Sequence, residues 1–212
     1  MQITSSDQPS VTAGQIYEIP FPEGTGTSRG NTIELAVANV SNLTAEGVKV
    51  AVTNTPAWIK FASQADTLPQ IKAKEEQTAS FNFSVDKTAE VNKNRTLTFS
   101  ISDKSGQVWT KEITIKVLPP AHYELFQNYP NPYNPTTKIE YQLPVTCTVN
   151  LIVYDILGRE AAHLVNEQQD AGYHQATFDA HHLASGMYIY RLLTTDEQNK
   201  HHLFQKKMLM LK

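Results

Sequence analysis

With 212 residues the chain has room for two domains of about 100 residues each. Its formal net charge of −3, from 18 basic and 21 acidic side chains, leaves no surplus of Lys and Arg for nucleic acid or an anionic membrane surface. Cys147 stands alone, which excludes an intrachain disulfide framework and a cysteine zinc site, and no apolar run approaches the roughly 20 residues that membrane insertion as a helix requires.

Met1 opens a polar segment rather than a charged and then apolar signal peptide. The chain is therefore expected to be either cytosolic or a piece of a longer precursor whose signal lies upstream. From Ile16 onward, short runs alternate between apolar and polar residues. Ile33, Leu35 and Val37 form one such run, and Val48, Val50 and Val52 the next. Ala79, Phe81, Phe83 and Val85, then Leu97, Phe99 and Ile101, then Ile113, Ile115 and Val117 continue the pattern. Successive strand side chains point to opposite faces, so each run predicts a half-buried strand, and the series predicts a two-sheet sandwich over residues 1–118. Turn-forming residues at Glu23 to Gly30, Asn42 to Gly47, Ala62 to Glu76, Asp86 to Asn94 and Asp103 to Gly106 are expected to join the strands.

Trp58 and Trp109 can each serve as a stacking platform for a sugar ring or as a core side chain. With Ile59 and Phe61 beside Trp58, core placement is expected for both. The run from Trp58 through Gln77, Phe81 and Val85 to Val117 resembles the small Ig-like accessory modules of secreted bacterial proteins. That resemblance implies a spacer or presenting domain without catalysis of its own. Asp66-Thr67-Leu68 is similar to the acceptor motif for O-glycosylation in secreted Bacteroidetes proteins, although a polar loop is the expectation here.

Val117-Leu118-Pro119-Pro120 closes the first module, and residues 119–137 read as a proline-rich linker and arm. Within it, Pro130, Pro132 and Pro135 each fix φ and remove a backbone donor, so neither a helix nor a central strand can pass through. The residues before them, Tyr129, Asn131 and Asn134, are biased toward extended backbone. An ordered, polyproline-like arm follows, one that presents its aromatics to a neighbouring surface and seals one end of a sandwich.

Residues 138–212 show the alternation again, with strands predicted at Ile139 to Leu143, Val149 to Tyr154, Ala161 to Val165, Gly172 to Phe178, Met187 to Leu193 and Leu203 to Leu211. Tyr154-Asp155-Ile156-Leu157-Gly158-Arg159 predicts a tight hairpin in which Asp155 accepts from turn amides and Gly158 takes positive φ. Ala184-Ser185-Gly186 is expected to turn the chain in the same way. The fold class expected for the whole is all-β, with two tandem Ig-like sandwiches.

His181-His182 and His201-His202 invite a metal, but neighbours on a strand point apart and no supporting carboxylate or thiol spacing is evident, so polar loop histidines are expected. Asp155, Asp179 and Asp196 belong to no calcium-loop pattern, and turn capping accounts for the first two. No nucleophile elbow, metalloprotease, phosphate-loop or dinucleotide motif is present. No catalytic residue, metal or cofactor is therefore assigned.

A set of motifs recurs in a particular order: Phe126 to Thr137, Tyr154 to Arg159, Ala171-Gly172-Tyr173-His174, Phe178-Asp179-Ala180, Leu183 to Tyr188 and the terminal Lys206 to Lys212. From Tyr123 to Lys212 this order resembles the type A C-terminal sorting domain of the type IX (Por) secretion system, itself similar to the Ig-like domain of flagellar hook-capping proteins. Tyr133 stands where Phe is commoner, Ala161 where a larger aliphatic is usual, and Gln205-Lys206-Lys207 is more polar than the family pattern.

The resemblance implies an address rather than a catalyst. The chain would pass through the periplasm, be read by the outer-membrane translocon, be met by its sortase-like peptidase, and end secreted or at the cell surface. The residues that match the motif are Asn128, Pro130, Asn131, Pro132, Asn134, Pro135, Asp155, Gly158, Arg159, Gly172, Ser185, Gly186, Tyr188, Lys207, Met208 and Lys212. Recognition by strand pairing would need a free edge, and the final strand at Met208 to Lys212 is the expected place. The alternative is a glycan- or protein-binding module, or a subunit of a surface assembly, with the first domain making the contacts.

Overall fold

The computed structural model describes residues 2–3, 16–22 and 28–212, and every regular element among them is a strand. Backbone contacts divide the chain into two units, Met1–Leu118 and Pro119–Lys212.

In the first unit the strands are β1 (Gln2–Ile3), β2 (Ile16–Ile19), β3 (Ser28–Ala38), β4 (Ala45–Asn54), β5 (Ile59–Phe61), β6 (Ala65–Ile71), β7 (Glu76–Val85), β8 (Asn94–Ser102) and β9 (Val108–Val117). They build one sheet in the order β1-β3-β7-β5 and another in the order β2-β9-β8-β4-β6. All pairs are antiparallel except β2 with β9. The alternating runs bury their apolar sides, and the two sheets meet where Phe81 of β7 packs on Phe99 of β8 with ring centroids 5.1 Å apart. Each such large side chain, fully removed from water, contributes about 1.5–3 kcal/mol toward holding the sheets together.

Four expectations for this unit are corrected. Ala62 to Glu76 is not a single break, because it contains β6, which buries Leu68 and Ile71. Pro69 obscures the alternation there and is accommodated because β6 lies at the edge of its sheet. Asp66-Thr67-Leu68 is accordingly strand rather than polar loop, with Thr67 exposed and the Asp66 carboxylate accepting from the backbone N–H groups of Thr67 and Ser80. The tryptophans are not core residues either: Trp58 and Trp109 are both half-buried. Of the expected Glu23 to Gly30 turn, residues 23–27 lie outside the described residues, and Ser28 to Gly30 already belong to β3.

The second unit comprises β10 (Glu124–Leu125), β11 (Thr136–Leu143), β12 (Cys147–Asp155), β13 (Glu160–Gln169), β14 (Gly172–Asp179), β15 (Gly186–Asp196) and β16 (His201–Met210). One sheet has the order β10-β11-β14 and the other β13-β12-β15-β16. Ile139, Tyr141 and Leu143 on β11 and Phe178 on β14 share a core with Val149, Leu151 and Val153 on β12, Tyr190 and Leu192 on β15, and Met208 and Met210 on β16. Leu125 and Tyr133 join the same core, so the stretch expected as a linker and arm is part of this unit. His201 and His202 lie within β16 rather than in a loop.

Candidate functional site

The proline arm is ordered coil, but it is not polyproline-like: the Tyr129–Pro130 and Asn131–Pro132 peptide bonds are cis. Its shape is held from inside by Asn128, only 2% exposed. The Asn128 amide nitrogen donates to the Pro130 carbonyl and to Thr137 Oγ1, both at 3.0 Å, while the Thr137 hydroxyl donates to the same carbonyl at 2.8 Å. The Asn128 backbone N–H donates to the Tyr190 hydroxyl at 2.9 Å, and that hydroxyl donates to the Phe126 carbonyl at 2.8 Å. A buried amide with these partners met is a specific clamp, because leaving any one of them unpaired carries the desolvation cost of a buried polar group.

Outward, the arm joins the two sheets of its unit. Tyr129 exchanges backbone hydrogen bonds with Lys138 at 3.0 Å on the β11 side. On the β16 side, the Leu209 N–H donates to Asn131 Oδ1 at 2.9 Å, the Tyr133 N–H to the Leu209 carbonyl at 3.0 Å, and the Leu211 N–H to the Tyr133 carbonyl at 3.0 Å. Gln127 donates its amide to the Lys207 carbonyl at 2.8 Å. The expectation of a free edge at Met208 to Lys212 is thereby overturned, since the arm occupies the outward-facing backbone groups of Leu209 and Leu211. Pro130, Pro132 and Asn134 are exposed, and the Pro135 carbonyl accepts from the Ala180 N–H at 3.0 Å.

The β12–β13 turn lies at the same end, because Asp155 pairs with Tyr188 and Tyr188 with Met208. Asp155 Oδ1 accepts from the N–H groups of Leu157 at 2.8 Å and Arg159 at 3.0 Å, and its Oδ2 from Arg159 Nε at 2.7 Å. Against the desolvation that would raise it, these hydrogen bonds hold the Asp155 carboxyl below its ordinary value. Gly158 has φ +79°, as the turn demands. Gly186 differs from expectation: at φ +156° it is the first residue of β15 in a near-extended mirror conformation rather than a left-handed turn residue. Ser185 Oγ accepts from the Lys212 N–H at 3.0 Å, and the Tyr188 hydroxyl donates to the Ala184 carbonyl at 2.8 Å.

Asn128, Pro130, Asn131, Pro132, Asn134, Pro135, Asp155, Gly158, Arg159, Ser185, Gly186, Tyr188, Lys207, Met208 and Lys212 therefore gather toward one end of the unit. Gly172 does not: it pairs with Leu143 at the opposite end. The gathered end also exposes apolar side chains: Tyr129 at 80%, an aromatic that the arm was expected to present, and Ile156 and Leu157 at 72% each, for which the sequence reading gave no such role. Their signal was present, since a turn tip carrying two aliphatics is unusual for a solvated hairpin.

His181 and His182 are the exposed loop histidines expected, whereas His201 and His202 lie in β16. His181 and His182 sit in a turn with ring centroids 3.4 Å apart, and Asp179 Oδ1 lies 3.0 Å from His181 Nδ1. No group of three metal-ligating side chains forms among the described residues. Asp179 and Asp196 cap turns as Asp155 does, accepting from the N–H groups of His181 and of Gln198 and Lys200.

No protein of curated function matches the sequence. Among solved structures, the chain is similar to dimeric latent PorU from Porphyromonas gingivalis, with 12% identity over 99% of this chain and a TM-score of 0.36. It spans 20% of the length of that PorU chain. It is also similar to the CupB2 chaperone of Pseudomonas aeruginosa, with 9% identity over 92% of this chain and 99% of the other and a TM-score of 0.29. Residues 127–206 match the family model described as the secretion system C-terminal sorting domain. The second unit thus belongs to the family of C-terminal sorting domains of the type IX secretion system, and it is the sorting signal of this chain.

Proposed function

We propose that the arm end of the second unit is the surface that the outer-membrane translocon of the type IX machinery reads, after the chain has crossed the periplasm. A sorting domain of this family marks its chain for the outer membrane, the cell surface or the medium and engages the type IX machinery. The observation that carries the finer proposal is the convergence of the motif residues, from arm, turn and last strand, around the exposed Tyr129, Ile156 and Leu157. Exposed apolar groups on a rigid, hydrogen-bonded base suit a docking partner, because little is left to be ordered on binding. The unit acts as an address and performs no chemistry, the first unit serves as a spacer, and a sortase-like peptidase of the same machinery acts on the chain after translocation.

The test is secretion of the full chain carrying Ile156→Asn and Leu157→Asn. These side chains support no core, so the melting midpoint is expected to stay within about 2 °C of the parent. Cell fractionation is expected to find the variant held in the periplasm. Normal delivery to the surface would overturn the assignment of this end.

A further inference from the structure

The first unit carries a shallow cavity, largely open to solvent, that its proposed role as a spacer does not use. It has a volume of about 530 Å³ and is lined by Trp58, Asn54, Asn94, Thr96 and the Glu90–Arg95 pair, together with Thr55 and Pro56. That volume falls within the roughly 300–1,000 Å³ of small-ligand sites. All of the lining comes from one end of the unit, where β4 ends, β8 begins and the turns before β5 and β8 approach each other.

Trp58 is held as a platform. Its turn is closed by the Ile59 N–H donating to the Pro56 carbonyl at 3.0 Å, and its own carbonyl accepts from the Asp86 N–H at 2.8 Å. The next side chain, Ile59, is buried, so the turn anchors itself there while the indole stays half-exposed. Leaving a large apolar ring partly in water gives up burial that a neighbouring core position would have supplied, and an aromatic so placed keeps apolar surface with which to pack on something else.

The polar lining is of one chemical kind. The Asn54 and Asn94 side chains are exposed and take no protein hydrogen-bond partner among the described residues, so each offers both donors and an acceptor. Arg95 Nε donates to Glu90 Oε2 at 2.9 Å, and hydrogen bonding from Arg95 first, with Lys93 further down, holds the Glu90 carboxyl below its ordinary value. Glu90 and Arg95 form a charged pair on the lining, while Lys93, whose Nζ lies 3.4 Å from the other Glu90 oxygen, is not among the lining side chains. A planar carboxylate beside a planar guanidinium matches adjacent hydroxyl groups, one accepting and the other donating.

We propose that this cavity is a saccharide subsite, in which Trp58 stacks on the apolar face of a neutral pyranose ring while Asn54, Asn94 and the Glu90–Arg95 pair exchange hydrogen bonds with its hydroxyls. The site is independent of the sorting signal and gives the first unit a contact to make once the chain has been exported. It also turns the half-exposure of Trp58 from a packing defect into a function.

The experiment uses the full chain with Trp109→Phe, which leaves Trp58 as the sole tryptophan. The probes are maltotetraose, cellotetraose, mannotetraose and chitotetraose, followed by Trp58 fluorescence and backbone amide resonances. At least one probe is expected to give a saturable change in Trp58 emission, with amide shifts concentrated at 54–58 and 90–96. Asn94→Ala, an exposed change that removes no core contact, is expected to weaken that binding by about tenfold, a loss of about 1.4 kcal/mol, with the melting midpoint unchanged. Trp58→Phe, which keeps an aromatic platform, is expected to retain part of the affinity that Trp58→Ala loses. No saturable response to any of the four probes, equal affinity in Asn94→Ala, or shifts lying elsewhere on the chain would each overturn the proposal.

Discussion

At the scale of single residues, three buried tyrosines of the second unit carry the same hydroxyl with different consequences. Burial pushes Tyr133, Tyr141 and Tyr190 each up to about 12, so all three are neutral phenols whose O–H must find a partner. Tyr190 both accepts from Asn128 and donates to Phe126, and Tyr141 donates to Gln169 at 2.8 Å. The Tyr133 hydroxyl is buried without a hydrogen-bond partner. Tyr133→Phe is therefore expected to stabilise the unit by about 1 kcal/mol, raising its melting midpoint by about 4–8 °C. Tyr190→Phe, the identical chemical change, is expected to destabilise it by about 1–3 kcal/mol by stranding the Phe126 carbonyl and the Asn128 N–H. Thermal denaturation of the two variants side by side checks both signs, and a shift in the same direction would defeat the explanation. The sequence already marks Tyr133 as the odd member of its motif, but only the fold shows that its oxygen has nowhere to go. Asp155 was legible in full, because a turn cap is settled within five residues. Trp58 was misjudged because its exposure depends on β4 and β8, which lie far from it in sequence.

At the scale of elements, strands with unbroken alternation were legible and those interrupted by one residue were not. Pro69 hid β6 inside an apparent loop, and β13, whose side chains are nowhere deeply buried, was expected at half of its observed length. The last strand shows the opposite failure. Its pattern was read, but its edge looked free because the arm that covers it is some 80 positions earlier in the chain, as the Gln127–Lys207 hydrogen bond shows. Coverage of a strand edge by a folded loop is a known way of stopping unwanted pairing. It has a measurable consequence here. The amides of Leu209 and Leu211 donate to Asn131 and Tyr133, so in native-state hydrogen exchange they are expected to be more protected than the outward amides of Leu203 and Gln205 on the same strand. Asn131→Ala is expected to speed exchange at Leu209 by about five- to tenfold while leaving Leu211 nearly unchanged. Equal protection along the outer edge would mean that the arm does not sit there in solution.

At the scale of the whole molecule, the two units are built for separate use. The core of the second draws only on residues between Tyr123 and Met210, closed on itself by the arm. An address read by export machinery needs that property, since it has to present the same surface whatever precedes it. Cys147 supplies the reporter. It is the only thiol in the chain, it is 1% exposed within that core, and burial pushes it up to about 11. At pH 8 an alkylating reagent therefore finds little thiolate and no access until the unit opens, so the labelling rate measures the stability of the second unit alone. Residues 119–212 expressed without the first unit are expected to protect Cys147 to within about twofold of the full chain under the same conditions. Rapid labelling of the isolated piece would show that the second unit borrows its stability from the first, and a signal that depends on its cargo in that way could not serve as a transferable address.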